Sequence, residues 1–159
     1  ATPVWIVIHI NHSQEIGQAA RDALQNLSAA GIPLLSQTVL LKGINDTPEA
    51  LETLFRTLVE NRVKPYYLHH GDLAKGTSHF RTSIRDGQRL MRQLRGRTSG
   101  TCQPAYVLDI PGGHGKIPIG PTYIEEINDS YRVTDPWGKQ HSYPPSAGVA
   151  TTIHLETHK

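Results

Sequence analysis

Lys116 closes a segment, Asp109-Ile-Pro-Gly-Gly-His-Gly-Lys116, that sets a carboxylate, three glycines and a primary amine within one short stretch. Glycine lets the backbone turn sharply or approach a ligand closely. A lysine delivered to a defined point is what imine chemistry with a carbonyl group requires. The competing reading is a glycine-rich loop with a solvated lysine. A nucleotide phosphate loop is excluded: it needs Gly where Ile110 stands and Ser or Thr where Ile117 stands. No GxGxxG opens a helix, so a dinucleotide fold gains no support.

Other chemistry-bearing residues recur at intervals: His9, Asn11 and His12; Lys42, Asn45 and Asp46; His69, His70 and Asp72; then Asp109 and Lys116. Gln37 lies inside an apolar run, where a polar side chain needs a partner. Two chemistries fit this set. One is a metal-dependent hydrolase of TIM-barrel type, with His9, His12, His69 or His70 and Asp72 as ligands. The other is a pyridoxal phosphate enzyme using Lys116, with Asp72 and Asp109 gripping a cationic substrate. The residues alone leave both open.

The elements that must position these groups alternate. Val4 to Ile10 reads as a strand, apolar on both faces like a central parallel strand. Ser13 to Ala30 reads as a helix with Ser13 as its N-cap and Gly31 just past its end. Leu34 to Leu41 is a second strand, followed by a turn at Gly43 to Asp46. Thr47-Pro48-Glu49 starts a second helix, which runs to about Asn61: Thr caps, Pro fits the first turn and Glu favours the helix dipole. Lys64 to His69 is a third strand, Thr82 to Leu94 a third helix, and Pro104 to Asp109 a fourth strand. The fold class is α/β, with a parallel sheet and right-handed crossovers. In such folds function gathers at the carboxyl ends of the strands, where the polar residues above fall. The tail reads differently: Tyr123 to Ile127 and Tyr131 to Val133 form a hairpin, and Pro136-Trp137-Gly138 marks a turn before His141 to Tyr143. The expected organisation is 1–121 for the α/β part, 122–145 for a β-hairpin extension, and 146–159 for a disordered or expression-related tail.

Composition narrows the classes. The chain has 159 residues and a formal charge of +2, so bulk charge makes no case for nucleic acid. Its one cysteine, Cys102, excludes an internal disulfide framework and a cysteine-ligated iron–sulfur cluster or zinc site made by this chain alone. No apolar stretch of membrane-spanning length appears, so no membrane association is expected, and a cytoplasmic location is the default. A strand beginning almost at the first residue suggests the interior of a longer chain.

Ordered blocks along residues 3–145 resemble the lysine 2,3-aminomutase family of radical S-adenosylmethionine enzymes. They are His9-Ile-Asn-His12, Gly31 to Asp46, Val63-Lys-Pro-Tyr-Tyr67, Gly71-Asp-Leu73, Gly76, His79-Phe-Arg-Thr82, Leu94-Arg-Gly96, Thr98-Ser-Gly100 and Asp109 to Lys116. The resemblance implies half of a partial (β/α)6 barrel, TIM-like, with L-lysine as substrate and β-lysine as product. It implies that Lys116 forms the imine with pyridoxal phosphate, that Asp72 and Asp109 hold the distal ammonium of the substrate, and that His9 and Gln37 line the S-adenosylmethionine site. The family's 4Fe-4S cluster motif, CxxxCxxC, is absent here, so its ligands are expected outside this chain. Thr47 stands where larger members have a zinc-binding cysteine, so no zinc is expected. His69 stands where many members have Tyr. The resemblance also implies a homo-oligomer at full length. Arginine 2,3-aminomutase and a catalytically inert fragment are the remaining alternatives.

Overall fold

A computed structural model describes residues 2–128 and 130–144. The chain divides into two compact units at the Pro121–Thr122 junction. In the first, four parallel strands follow chain order: β1 (Ile6–His9), β2 (Leu34–Val39), β3 (Val63–His69) and β4 (Ala105–Asp109). Helices α1 (Gln18–Ala29), α2 (Pro48–Glu60) and α3 (Ile84–Arg97) make the crossovers. A fifth strand, β5 (Lys116–Pro118), pairs antiparallel with β4. The unit is therefore α/β with a mixed sheet.

Strand periodicity decides which residues meet the helices. Along β2, Leu34, Ser36 and Thr38 are fully covered, while Leu35, Gln37 and Val39 are only half-buried. The covered side joins Leu34, Val63, Leu68 and Tyr106 to one core with Leu24 of α1, with Leu51, Leu54, Phe55 and Leu58 of α2, and with Leu90, Met91 and Leu94 of α3. The four α2 side chains are 0% exposed, so each contributes roughly 1.5–3 kcal/mol of apolar burial. Right-handed crossovers between neighbouring parallel strands place successive helices on the same side. The opposite face of the sheet remains open, and it bears the polar residues.

α2 forms as its sequence dictates. Thr47 Oγ1 accepts the Ala50 N–H at 3.2 Å, Pro48 opens the helix and Glu49 sits in its first turn. The first helix departs from expectation. Glu15 Oε1 accepts the N–H groups of Asn11 and His12, each at 2.7 Å, and His12 Nδ1 accepts that of Gln14 at 3.3 Å. This closes a separate 3-10 turn at Ser13–Glu15, so α1 starts at Gln18 with Gly17 as N-cap, and Ser13 caps nothing.

β1 stands at the end of this sheet's strand order, with Val7 44% exposed. One further expectation is corrected. The sheet is not wholly parallel, because the glycine-rich segment is a hairpin. Gly112, Gly113 and Gly115 have φ of +88°, +78° and +101°, a region that side chains disfavour. Ile110 N–H donates to the Gly115 carbonyl at 2.8 Å, and the chain returns along β4.

The second unit is a three-stranded antiparallel sheet of β6 (Ile124–Ile127), β7 (Ser130–Thr134) and β8 (Gln140–Tyr143), one strand more than the expected hairpin. Asp135 Oδ1 shapes its second turn by accepting from Trp137 and Lys139 at 3.0 and 2.9 Å. The expectation for 146–159 falls outside the described residues.

Candidate functional site

Register places the polar residues in rows across the open face. His9 pairs with Gln37, and Gln37 with Tyr67; Val39 pairs with His69, and His69 with Val107. Asp109 pairs with Lys116 across the β4–β5 hairpin. All lie at or near the carboxyl ends of the parallel strands. His9, Gln37, His69, His70, Asp72 and Asp109 line one cleft of about 210 Å³.

At one end of this cleft Lys116 Nζ donates to both Asp109 oxygens at 2.6 Å. It also lies 3.3 Å from His69 Nδ1 and 5.4 Å from the centre of the Tyr67 ring. His69 Nδ1 is in turn 3.1 Å from Asp109 Oδ2. The Lys116 hydrogen bonds, and then that of His69, hold the Asp109 carboxyl below its ordinary range. The site is thus an ammonium on a carboxylate, walled by an imidazole and a phenol ring, with charge-assisted geometry.

Tyr67 reaches this position through a bulge. Pro65 has no N–H to give the β2 ladder, and the register slips between Ser36 and Gln37. Tyr66 is the extra residue, so two successive tyrosines project from the same face. Their rings lie 3.8 Å apart and their hydroxyls 2.9 Å apart. The Tyr66 hydroxyl contact raises the Tyr67 phenol above its usual range, with burial adding to it.

Asp72 enters the cleft from the loop after β3. Arg81 holds that loop by donating to the carbonyls of Asp72 at 3.2 Å and Ala74 at 2.8 Å. His70 Nδ1 and the Tyr106 hydroxyl share a hydrogen bond of 2.8 Å. Burial pulls His70 down, against the opposing charge of Asp72, and burial holds the Tyr106 phenol protonated far above its usual range. Tyr106 fits because residue 87 of α3 is glycine: a Cβ there would meet the Tyr106 ring.

The sequence candidates now separate. His9, Gln37 and Asp72 face the cleft, and their side chains make no hydrogen bond to another described residue. Asn11, His12 and Asn45 are engaged in holding the backbone. Asn45 is 1% exposed; it accepts from Leu41 N–H at 2.7 Å and donates to the carbonyls of Asn11 and Val39 at 2.8 and 2.9 Å. The hydrolase reading drew on His9, His12, His69 or His70, and Asp72; of these, His12 caps a turn and His70 is bound to Tyr106. Among the described residues no group of three or more His, Cys, Asp or Glu is spaced to hold a metal ion. Sequence reasoning missed Tyr67 and the Lys116–His69 contact. The two-residue alternation of Tyr67 and His69 along β3 was the available signal.

Comparison with known proteins bears on the family of the chain. A family model described as lysine-2,3-aminomutase matches residues 91–134. The L-lysine 2,3-aminomutase of Methanococcus maripaludis is 51% identical over 122 residues, covering 77% of this chain and 28% of that protein. The L-lysine 2,3-aminomutase of Clostridium subterminale is 46% identical over 122 residues, covering 77% and 29%. The glutamate 2,3-aminomutase of Clostridioides difficile is 42% identical over 135 residues, covering 85% and 32%. The chain thus spans about a third or less of the length of these relatives. Relatives so close over most of the chain, together with the family model, carry one conclusion: this chain belongs to the lysine 2,3-aminomutase family.

Proposed function

We propose that the chain carries the imine-forming lysine and the ammonium-recognising carboxylates of an L-lysine 2,3-aminomutase, which moves the amino group of L-lysine from C2 to C3. One observation carries the reading: Asp109 already holds a primary ammonium, that of Lys116, with both oxygens at 2.6 Å, in a cleft that Asp72 shares. A carboxylate that binds one alkylammonium in this way is chemically fit to bind another. Two carboxylates also disfavour an acidic side chain, which argues against glutamate as substrate.

The residues fit the groups that the family implies. Lys116 would hold pyridoxal phosphate, with the Tyr67 ring beside its nitrogen, and His9 and Gln37 offer uncommitted polar side chains to S-adenosylmethionine. Cys102 is buried and is the only cysteine, so a 4Fe-4S cluster would take its ligands from outside this chain, and the chain alone would turn over no substrate. When bound, the pyridine ring supplies an electron sink and S-adenosylmethionine with its cluster supplies a carbon radical. The chain's own part is positional. Lys116 would hold the cofactor's carbonyl carbon until the substrate's own amine takes its place, while Asp72 and Asp109 would fix the distal end of the substrate, which sets the carbon chain between. The strand order, the helices on one side and the open opposite face support a partial (β/α)6 barrel, with this unit as part of its wall.

Assay of the intact protein with pyridoxal phosphate, S-adenosylmethionine and a reductant tests the reading. L-lysine should be converted to β-lysine in preference to L-arginine and L-glutamate. Asp72→Asn and Asp109→Asn should each lower kcat/KM for lysine by about 30-fold or more. Preference for glutamate, or near wild-type turnover of lysine by both variants, would overturn it.

A further inference from the structure

We infer that His69 is the base that relays protons from Lys116 during imine formation, an inference that rests on the reading of Lys116 above. A lysine amine attacks a carbonyl only as the free base, and its nitrogen must shed two protons to become an imine. Two groups lie within hydrogen-bond reach of Nζ: Asp109, and His69 Nδ1, which accepts when the ring proton is on Nε2. Of these, only an imidazole is a base matched to neutral pH; a carboxylate is far too weak, and Asp109 is weakened further by its hydrogen bonds. Brønsted matching therefore selects His69.

The geometry also accounts for the charge. With the ring proton on Nε2, the Nδ1 lone pair faces Nζ at 3.3 Å. Nε2 is buried without a partner among the described residues, so no donor there holds the ring proton on Nδ1 and no acceptor there holds it on Nε2. Once Nδ1 takes a proton, the imidazolium donates it toward Asp109 Oδ2, 3.1 Å away. The cation passes from lysine to histidine while Asp109 keeps a positive partner. The covalent step balances. The Nζ lone pair forms the N–C bond as the carbonyl π pair moves to oxygen, which takes the first proton from Nδ1. Nδ1 then takes a second proton from nitrogen and passes it to the same oxygen; the nitrogen lone pair closes the C=N bond as the C–O bond breaks, water leaves, and the positive charge of the original ammonium stays on the protonated imine. The charged and titratable groups facing His69 are Asp109 and Lys116 from β4 and β5, and Tyr67 from its own strand, 5.6 Å between ring centres. His9, His70 and Asp72 share its cleft.

The test mixes the intact protein with pyridoxal phosphate, follows imine absorbance over time from about pH 5 to 8, and maps the borohydride-reduced product. In the wild type the rate at Lys116 should rise with pH more steeply than the growing free-amine fraction of a lysine alone requires. His69→Gln should keep only the rise due to the free amine and slow the reaction about 100-fold at neutral pH, with the final yield at Lys116 unchanged. Added imidazole should restore His69→Ala in proportion to its free base. A wild-type rate and profile in His69→Gln would overturn the inference. So would a slower rate with an unchanged profile and no rescue by imidazole, which marks a structural role. Absence of label on Lys116 in the wild type would instead sink the underlying reading of that lysine, and this inference with it.

Discussion

Gly87→Ala should destabilise the protein although it improves a helix. In an exposed helix interior, alanine is favoured over glycine by about 1 kcal/mol. Gly87 lies on the buried face of α3, where an added Cβ would come within 2.6 Å of Tyr106 Cε1, with Cζ and the hydroxyl closer still. Such an approach is far inside van der Waals contact. Tyr106 has nowhere to go: it is 2% exposed and its hydroxyl is bound to His70. Overpacking of this kind costs typically about 1–3 kcal/mol, and a clash this deep belongs at the upper end. The net expectation is a loss of about 2 kcal/mol, read from urea unfolding midpoints at unchanged slope. The displaced phenol should also release His70, so the imidazole resonances of His70 should shift in the same variant. Combining Gly87→Ala with Tyr106→Leu should cost less than the sum of the two, because the leucine vacates the contested space. A Gly87→Ala protein more stable than wild type by about 1 kcal/mol would show that propensity governs the position and that Tyr106 is not wedged against α3.

Two other outcomes follow from the same structure. Asp109 has its carboxyl depressed below the ordinary 3.8 by Lys116 and His69. The stabilisation of that pair is therefore fully present above the unfolded aspartate value and is lost as pH falls through the lower folded value. Carboxyl NMR should place the Asp109 midpoint below 3.8 and move it upward in Lys116→Met; an unmoved midpoint would mean that Lys116 is not its partner. Thr47→Ala removes the cap of α2 and should cost about 1 kcal/mol in urea unfolding, with no change if water caps the helix equally well.

The helices and parallel strands were legible where local chemistry and tertiary packing agree. Thr47, Pro48 and Glu49 start α2 as their side chains require, and the apolar runs of β2 to β4 lie next to one another in chain order. Reading failed where one residue had two available roles. His12 looked like a ligand and serves as a cap, because Glu15 three positions on completes a closed turn. The glycines before Lys116 were compatible with a loop or a hairpin, and only pairing with β4 shows which. Within the site, the facing of Asp109 and Lys116 depends on that hairpin. The doubling of Tyr66 and Tyr67 on one face depends on a bulge that strict alternation cannot foresee. The Gly87–Tyr106 fit joins residues on different elements and leaves no periodic trace.

The central claim is that Lys116 is the lysine that bonds pyridoxal phosphate, and one mapping experiment addresses it directly. The intact protein is saturated with pyridoxal phosphate, reduced with borohydride, digested and sequenced by mass spectrometry. The account predicts stoichiometric modification of Lys116, abolished in Lys116→Met. Modification of Lys42 or Lys75 with none on Lys116 would contradict it.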